Sequence, residues 1–273
     1  MLYRPSLTLT TVFLNSLRDS IFLLYFAYDS YVLGKSDFLI VIPTYNEYES
    51  LPILISSLKA LTGQYEVLIV DDGSTDGTLE FCLDYASSNE FLQLVNRGSK
   101  LGLASAYKLA FEIASKRQFQ FVVQMDADGS HRAIDLEKMA NEIKNNPSLD
   151  LCIGSRWVPG GSILNWPRNR YYLSKSANVF ANIALGLKVK DSTAGFRIYK
   201  TSSLSKASTS QVLCEGYGFQ IEMTNLFRKE NFSITEIPIR FVERELGVSK
   251  MSKKIIFEAF MRVLQLFIIR LRP

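Results

Sequence analysis

The sequence predicts an α/β protein with a mostly parallel central sheet and helices on both faces. Short apolar runs that are typical of buried strands alternate with segments whose apolar residues recur at helical spacing. The connections between the runs are long enough for helices, as crossovers between parallel strands must be. Polar residues follow several of the runs, and in parallel sheets such positions meet at the edge where ligands bind.

The elements follow one another without a linker or an internal repeat. The predicted strands are Phe38–Ile42, Tyr65–Val70, Leu92–Val95, Phe119–Met125, Leu151–Ile153 and Ile234–Phe241. The predicted helices begin near Leu51, Leu79, Leu103, Asp135, Tyr171 and Gly216, and a last one covers about Lys250–Leu271. The sequence therefore predicts a single catalytic domain over residues 36–249, followed by a C-terminal extension over 250–273. Residues 1–35 are interpreted either as an amphipathic surface helix or as an upstream translation start that the native protein does not use.

The composition of the 273 residues is that of a globular protein, with 47% hydrophobic and 21% charged residues. The net charge of +4 is concentrated at the C-terminus, because residues 240–273 carry eight Lys or Arg against three Glu. The three cysteines lie in apolar segments without metal-site spacing, so they are predicted to be buried thiols in a reducing compartment. No apolar run is long enough to predict a transmembrane helix.

Two carboxylates, Asp126 and Asp128, follow the apolar run that ends at Met125. A second acidic pair, Asp71 and Asp72, follows an earlier strand. Carboxylate oxygens suit a hard divalent cation that also binds phosphate oxygens, so Asp126 and Asp128 are candidate metal ligands. The alternative is a strand-to-turn corner with solvated aspartates. Neither G-x-G-x-x-G nor a P-loop is present, which disfavours a dinucleotide-dependent redox enzyme and an ATPase.

A series of short motifs occurs between about residues 37 and 255. The first three are Ile42-Pro-Thr-Tyr-Asn-Glu47, Val70-Asp-Asp-Gly-Ser74 and Met125-Asp-Ala-Asp128. The others are Gly154-Ser-Arg156, Gly160-Gly-Ser162, Asn165-Trp-Pro167, Ala194-Gly-Phe-Arg197, Gly216-Tyr217 with Phe219-Gln-Ile-Glu222, and Arg244 followed by Gly247-Val-Ser-Lys250. This series resembles the inverting family-2 glycosyltransferases and, more narrowly, the polyprenol- or dolichol-phosphate mannose synthases.

The resemblance implies a GT-A fold, a Mg²⁺ or Mn²⁺ cofactor, GDP-mannose as donor and a polyprenyl (dolichyl-type) phosphate as acceptor. It also implies a peripheral enzyme on the cytoplasmic face of the membrane, with no nucleic-acid partner. Matched position by position, the donor-binding residues are Pro43, Tyr45, Glu47, Asp72, Asp126, Ala127, Asp128 and Gln220. The metal ligands are Asp126 and Asp128, the acceptor-phosphate residues are Arg156, Arg170, Arg244 and Lys250, and the catalytic residues are Asp126, Asp128, Arg156 and Arg244. Ser130 stands where some relatives have a Gln that can join the metal, and a water is expected in its place.

The implied reaction explains why the chain needs few titratable catalytic groups. An acceptor phosphate monoester has a second pKa of about 6 and is mostly ionised at neutral pH, so no strong base is required. The remaining task is electrostatic stabilisation by a metal ion and arginines. His131, the single histidine, is therefore interpreted as a residue that caps a loop beside the metal site, with a general base as the alternative.

Three further side chains have two interpretations each. Arg197 is either part of the site or a structural ion-pair partner of Asp191. Gln220 and Glu222 either bind sugar hydroxyls or cap the start of a helix. The sequence does not decide between these roles.

The apolar C-terminal helix is flanked by basic residues and is predicted to lie in the membrane interface, close to the lipid substrate. The alternatives are packing on the sheet and contact with a separate membrane-anchoring protein. Two other functions share the motifs: a polyprenyl-phosphate glucose synthase that uses a UDP-sugar, and a peripheral membrane protein that binds a nucleotide sugar without transferring it. The Asn165-Trp-Pro167 motif favours mannose, and the acidic pair with the arginines favours an enzyme.

Overall fold

A nine-stranded sheet forms the centre of the computed structural model, which describes residues 9–15, 21–27, 36–214, 216–243 and 253–271. The strands are β1 (Leu9–Asn15), β2 (Ile21–Ala27), β3 (Phe38–Thr44), β4 (Tyr65–Asp71), β5 (Leu92–Asn96), β6 (Phe121–Gln124), β7 (Leu151–Ser155), β8 (Ser162–Leu164), β9 (Arg197–Lys200), β10 (Ile234–Pro238) and β11 (Arg240–Val242). The helices are α1 (Leu51–Lys59), α2 (Thr78–Ser88), α3 (Leu103–Lys116), α4 (Ala133–Asn145), α5 (Arg168–Leu185), α6 (Thr201–Lys206), α7 (Gly216–Lys229) and α8 (Lys253–Leu271).

The strand order of the large sheet is β1-β2-β5-β4-β3-β6-β9-β7-β10. Strands β5, β4, β3 and β6 run parallel to one another, and β7 runs parallel to β10. Strand β9 joins these two groups, since it pairs antiparallel with both β6 and β7. The prediction of a mostly parallel sheet is confirmed. As a result, the residues that follow β3, β4 and β6 meet at one edge of the sheet.

Helices cover both faces of the sheet, as the sequence predicts. On one face, α1, α2 and α4 pack through residues such as Leu51 and Met139. On the other face, α3, α5, α7 and α8 pack through residues such as Tyr107, Phe219 and Val263. The middle strands are buried on both sides, which is why they appear in the sequence as continuous apolar runs.

The last strands differ from the prediction. Strand β9 was not expected, because its four residues begin with an arginine and do not form an apolar run. The strand expected over 234–241 is divided into β10 and β11. Pro238 ends β10, since proline cannot donate a ladder hydrogen bond, and β11 then pairs with β8 in a separate two-stranded sheet.

The N-terminal segment adds two strands to the edge of the sheet. Strands β1 and β2 pair antiparallel, and β2 also pairs antiparallel with β5. The helical interpretation is therefore wrong for residues 9–15 and 21–27. These segments are rich in Thr, Val, Ile, Phe and Tyr, which favour strands, but short apolar runs do not distinguish strand from helix by periodicity alone.

One face of helix α8 packs on the domain. Packing of this helix within the protein was one of the alternatives to a position in the membrane interface. Val263 and Leu266 are buried in the core, and the ring of Phe260 stacks on Phe180 of α5 at a centroid distance of 5.1 Å. The opposite face exposes Phe257, Met261, Ile268, Ile269 and Leu271. Among the described residues, no helix combines the length and hydrophobicity needed to cross a membrane. Contact with the membrane interface and the domain boundary at residue 250 stay predictions.

The three cysteines are free thiols buried in the domain, as predicted. Burial raises the pKa of Cys82 and of Cys214 to about 12, and the nearby Glu222 carboxylate adds to the effect at Cys214. Burial also raises the pKa of Cys152. Because the thiolate is the reactive form, all three are expected to be inert in the folded protein.

A thiol reagent added at pH 8 should therefore label the native protein at least about 100-fold more slowly than the protein unfolded in guanidinium, because both thiolate fraction and access are reduced. The release of reagent chromophore measures the rate. The unfolded control should react with three equivalents, one for each cysteine. Fast reaction of one equivalent in the native state would contradict the described burial.

Candidate active site

Asp126 and Asp128 lie in the turn that follows β6, at the carboxyl edge of the sheet. Ala127 between them is buried in the core, whereas Asp126 and Asp128 are both partly exposed. The backbone N–H of Ser130 donates to Asp128 Oδ1 at 3.0 Å, and Gly129 adopts a φ of 74° that glycine tolerates without strain. The side chain of Asp126 is 40% exposed, which leaves it accessible to a ligand.

The other predicted donor-binding residues follow the neighbouring strands. Pro43 lies in β3, and Tyr45 and Glu47 follow it directly. Lys100 Nζ lies 4.1 Å from the centroid of the Tyr45 ring. The segment after β3 is attached to the segment after β4, since the backbone N–H of Glu47 donates to Thr78 Oγ1 at 2.9 Å. The strand order β4-β3-β6 thus brings the predicted nucleoside and metal residues to one part of the edge.

The acidic pair after β4 has two separate roles in the fold. Asp71 is fully buried and accepts hydrogen bonds from Thr44 Oγ1 at 2.9 Å and from Ser74 Oγ at 2.5 Å. Asp71 therefore holds the turn and does not contribute to an open site.

Asp72 forms a buried ion pair with Arg97, whose Nε donates to Asp72 Oδ1 at 2.6 Å. The backbone N–H groups of Leu101 and Gly102 donate to its other oxygen at 3.2 and 3.1 Å. Asp72 thus fixes the loop before α3. Its contact with the nucleoside stays a prediction.

His131 stabilises the turn that carries the aspartates. The backbone N–H of Asp126 donates to His131 Nδ1 at 3.1 Å, so that the ring accepts at Nδ1 and Nε2 carries the proton in the neutral form. The ring is buried and stacks on Phe196 at a centroid distance of 4.7 Å. These contacts favour the loop-capping interpretation over a general base, although the ring accepts from the backbone and does not donate to it.

A series of aromatic contacts connects this turn to the predicted acceptor arginines. The ring of His131 meets Phe241 edge to face at 5.8 Å, and Phe241 meets Trp166 in the same way at 5.4 Å. The guanidinium carbon of Arg156 lies 5.3 Å from the Trp166 ring, and that of Arg170 lies 4.4 Å from it. The arginines are therefore within a few side chains of the acidic turn.

Arg156 is held by a buried ion pair with Asp191. Its Nε and one terminal nitrogen donate to the two carboxylate oxygens at 2.8 and 2.6 Å, and its backbone N–H donates at 2.9 Å. Thr193 Oγ1 accepts a further bond at 2.9 Å. Arg170 forms its own ion pair, with Glu243. Both guanidinium groups are thus oriented by carboxylates within the protein.

Arg197 does not pair with Asp191, so that interpretation is wrong. It is fully buried and donates to the carbonyl oxygens of Ala194 and Ser192 at 2.7 Å each and to Thr224 Oγ1 at 3.0 Å. Sequence spacing suggested Asp191 as the partner, but Asp191 pairs with Arg156 instead.

A buried polar layer lies beneath the acidic turn. Burial is the main cause that raises the pKa of Tyr107 well above its usual value, and the Asp126 charge adds to it. Tyr107 is therefore neutral at physiological pH. Within the described residues, its hydroxyl and the Nε2 of Gln124 have no hydrogen-bond partner.

Glu222 binds backbone and a cation. Its carboxylate accepts from the N–H groups of Leu213 and Cys214 at 2.9 and 2.6 Å and from Arg262 Nε of α8 at 2.6 Å. A capping role just before α7 is therefore observed, and a role in sugar binding is not. Gln220 is also buried, and within the described residues its Oε1 lacks a hydrogen-bond partner. The predicted acceptor residues Arg244 and Lys250 lie outside the described residues.

A groove that the sequence analysis missed begins at the arginines. It has a volume of about 400 Å³ and runs between α5 and α8. Arg156, Arg170 and Trp166 form its polar part, and the rest of its lining is mainly apolar and includes Leu173, Ala177, Phe180, Ile221, Ile256, Phe260 and Val263. Within the described residues, the indole nitrogen of Trp166 has no hydrogen-bond partner. In the sequence, the only indication of this groove is that α5 and α8 both carry apolar residues on the faces that line it.

The acidic turn fits a divalent cation. Asp126 and Asp128 offer the oxygen ligands that Mg²⁺ and Mn²⁺ prefer. Gly195 lies beside them, and a Cβ at that position would meet Asp126 Oδ2 at 3.4 Å, an ordinary van der Waals contact. Within the described residues no group of three or more His, Cys, Asp or Glu side chains is arranged to hold a metal. A cation here would complete its shell with diphosphate oxygens and water, as Mg²⁺ commonly does.

Comparison with known proteins shows the family of this chain. The sequence profile of "Glycosyl transferase family 2" matches residues 39–207. The chain belongs to glycosyl transferase family 2. It is 42% identical over 226 residues to a polyprenol monophosphomannose synthase from Mycolicibacterium smegmatis. That alignment covers 82% of this chain and 84% of the relative. It is 40% identical over 225 residues to an undecaprenyl-phosphate mannosyltransferase from Micrococcus luteus, which covers 82% of this chain and 91% of that protein.

Solved structures show the same fold. Glucosyl-3-phosphoglycerate synthase from Mycobacterium tuberculosis, in complex with Mn²⁺, UDP-glucose and phosphoglyceric acid, aligns with a TM-score of 0.64 at 16% identity. The alignment covers 85% of this chain and 80% of that one. The GT-A fold predicted for this family-2 glycosyltransferase is confirmed, and the two mannosyltransferase relatives bear out the narrower resemblance seen in the motifs.

The ion pair between Arg156 and Asp191 should be important for stability. Asp191→Asn keeps the shape of the side chain but leaves a buried guanidinium without its countercharge, so it is expected to lower the free energy of unfolding by about 3 kcal/mol. Urea unfolding followed by circular dichroism measures this. Asp84→Asn removes an exposed carboxylate from α2 and should change stability by less than about 0.5 kcal/mol. Equal effects of the two substitutions would contradict the importance of the pair.

Proposed function

We propose that this glycosyltransferase transfers mannose from GDP-mannose to a polyprenyl phosphate with inversion, giving a polyprenyl-phosphate mannose for later glycosylation. The observation that carries the proposal is the groove, in which two arginines and an indole adjoin an apolar channel. Such a site suits a ligand with a phosphate at one end and a hydrocarbon chain behind it. The two relatives named for polyprenyl- and undecaprenyl-phosphate mannose synthesis support the same reaction.

The chemistry needs orientation and charge more than proton transfer. The acceptor phosphate is already ionised at neutral pH, so an oxygen of this group attacks the anomeric carbon without a general base. Arg156 and Arg170 bind this phosphate, because guanidinium groups match phosphate geometry and stay charged. Phosphate competes with Glu243 for Arg170, whereas the Asp191 carboxylate keeps Arg156 in place. The Trp166 N–H supplies one further donor.

The donor lies against the ends of β3, β4 and β6. Pro43, Tyr45, Glu47 and Asp72 form the nucleoside side, and Asp126 and Asp128 hold Mg²⁺ or Mn²⁺. When bound, the cation supplies positive charge against the departing diphosphate. Ala127 and Gln220 complete the donor set, and Arg244 and Lys250, which follow β11 in sequence, join the acceptor side.

The membrane supplies the acceptor, so the apolar faces of α5 and α8 lie in its interface. Both helices line the groove, and both expose large apolar side chains beside it. On α5 these are Tyr172, Leu173, Val179 and Ile183. We place the enzyme peripherally on the cytoplasmic face, where nucleotide sugars and basic protein segments meet anionic lipid. A separate anchoring protein is the alternative if these faces bind no lipid.

Transfer itself is the first test. Purified enzyme with Mn²⁺ should convert radiolabelled GDP-mannose and a polyprenyl phosphate to labelled lipid, and UDP-glucose should give little product. Asp128→Ala should lower kcat/KM by about 100- to 1,000-fold, or about 3–4 kcal/mol, since it removes one ligand of the cation. Asp84→Ala, an exposed site on α2, is the matched control and should keep activity.

The unfolding midpoint of Asp128→Ala should match that of the wild type, because this aspartate is not part of the core. Preferred use of UDP-glucose would favour a glucosyltransferase. Binding of both nucleotide sugars without transfer would favour the non-catalytic alternative. Near wild-type activity of Asp128→Ala at saturating Mn²⁺ would overturn the metal assignment.

Vesicle binding tests the membrane face. The enzyme should sediment with anionic liposomes and be partly released by high salt, which screens the basic residues but not the apolar contact. Ile183→Gln with Phe257→Gln removes two apolar side chains that are 77% and 65% exposed, and should weaken binding at least about tenfold. Ile53→Gln on α1, which packs on the other face of the sheet, removes an apolar side chain that is 68% exposed and should have no effect. Unchanged sedimentation of the double variant would exclude these two positions from the membrane contact.

A further inference from the structure

A second cavity lies on the flank of α5 opposite the groove. It has a volume of about 470 Å³, and its wall consists of α5, the segment from Arg156 to Ile163, and Lys190. Arg156 contributes to both this cavity and the groove. Val179, which is exposed on the outer face of α5, lies at its margin. Helix α5 therefore separates two openings on the same side of the protein.

The lining of this second cavity is positively charged. Lys175, Lys190 and Arg156 carry the charge, and no carboxylate is among the described residues that line it. Asp191 offsets the charge of Arg156, and the carboxylate of Glu236 accepts from the backbone N–H of Lys190 at 2.7 Å behind the wall. The two lysines are the cations that the lining offers to a ligand. Lys175 Nζ lies 5.9 Å from the ring of Trp157 and 5.8 Å from that of Tyr171, so the ammonium group is held against aromatic faces at the wall.

The wall contains two amide side chains, Asn178 and Asn182. The amide of Asn178 donates to Ser174 O and Thr193 Oγ1, and its oxygen accepts from Ser192 Oγ. The amide of Asn182 donates to the Val189 carbonyl oxygen and accepts from the Lys188 N–H. Both amides are thus engaged within the protein.

Trp157 adds a donor to this wall. Its indole nitrogen is buried and has no hydrogen-bond partner within the described residues. An indole N–H can only donate. Two ammonium groups and an indole N–H suit the oxygens of a phosphate, and the hydroxyls of Ser162 and Tyr171 in the same lining can also donate to them.

We propose that this cavity binds a phosphate-bearing anion, and that the phosphodiester headgroup of an anionic phospholipid is its natural source. The inference rests on the proposed function in one respect, which is that α5 lies against a membrane. Val179 and the neighbouring exposed side chains of α5 then meet the acyl chains, while the lysines hold the headgroup. A structural lipid is bound on one flank of α5 and the acceptor lipid on the other, with Arg156 in both walls.

Tryptophan fluorescence can report on this cavity alone. The chain has two tryptophans, of which Trp157 lines this cavity and Trp166 lines the groove. Trp166→Phe therefore leaves Trp157 as the single reporter. This variant is titrated with inorganic phosphate, with dihexanoyl phosphatidylglycerol and with dihexanoyl phosphatidylcholine, each lipid below its critical micelle concentration. A saturable change is expected with phosphatidylglycerol and not with the zwitterionic phosphatidylcholine.

Adding Lys175→Gln and Lys190→Gln should weaken the apparent affinity about tenfold or more, because two cations near the anion are lost. Lys206→Gln with Lys229→Gln, two exposed lysines outside the cavity wall, is the matched control and should leave it unchanged. A response to phosphate as well would show that the anion alone suffices, and a response only to phosphatidylglycerol would identify the lipid as the source. Either result supports the site.

No saturable response to either anion would overturn the proposal, and so would an equal loss in the control pair. The outcome is independent of catalysis, because fluorescence is measured on Trp166→Phe and mannose transfer on the wild-type chain, in which Trp166 is intact. A protein that binds the anion at Trp157 but does not transfer mannose contradicts the proposed function and keeps this site. A protein that transfers mannose without any Trp157 response contradicts this site only.

Discussion

The buried ion pair between Arg156 and Asp191 organises the half of the molecule that faces the groove. Arg156 follows β7, and Asp191 lies in the loop before β9, so the pair joins two neighbouring strands above the sheet edge. The Asp191 carboxylate accepts from Nε and from one terminal nitrogen of Arg156, and this bidentate contact holds the guanidinium in a fixed orientation. A charge that is buried in this way stabilises a fold only while its partner is present. The same contact therefore stabilises the fold and orients the guanidinium of the proposed phosphate site.

Strand β9 lies between two groups of parallel strands in the sheet. On one side, β5, β4, β3 and β6 form the parallel unit whose edge carries the predicted donor residues. On the other side, β7 and β10 with the small β8–β11 sheet position the arginines and α5. His131, Phe241 and Trp166 bridge the two parts through ring contacts. The predicted donor and acceptor residues, which are distant in sequence, are thus connected by packing of aromatic rings.

The sequence predicted the parts that depend on local pattern. Continuous apolar runs indicated β3, β4 and β6, and the aspartates after β6 were found because a strand end fixes where they emerge. Pairings between distant residues were not predictable. Asp191 was considered as a partner of Arg197, six residues away, but it pairs with Arg156, 35 residues away. The four-residue strand β9 and the groove between α5 and α8 also depend on tertiary contacts, which no local pattern reports.

The groove is small compared with the lipid that it is proposed to accept. A cavity of about 400 Å³ holds the phosphate and only the first part of a polyprenyl chain, and the remainder must stay in the bilayer. The groove, as formed by the described residues, therefore does not reach the far end of such a substrate. Selection acts on the headgroup and the nearest isoprene units, and the length of the carrier is decided by whichever enzyme synthesises it. A cell that changed its polyprenol would not need to change this glycosyltransferase.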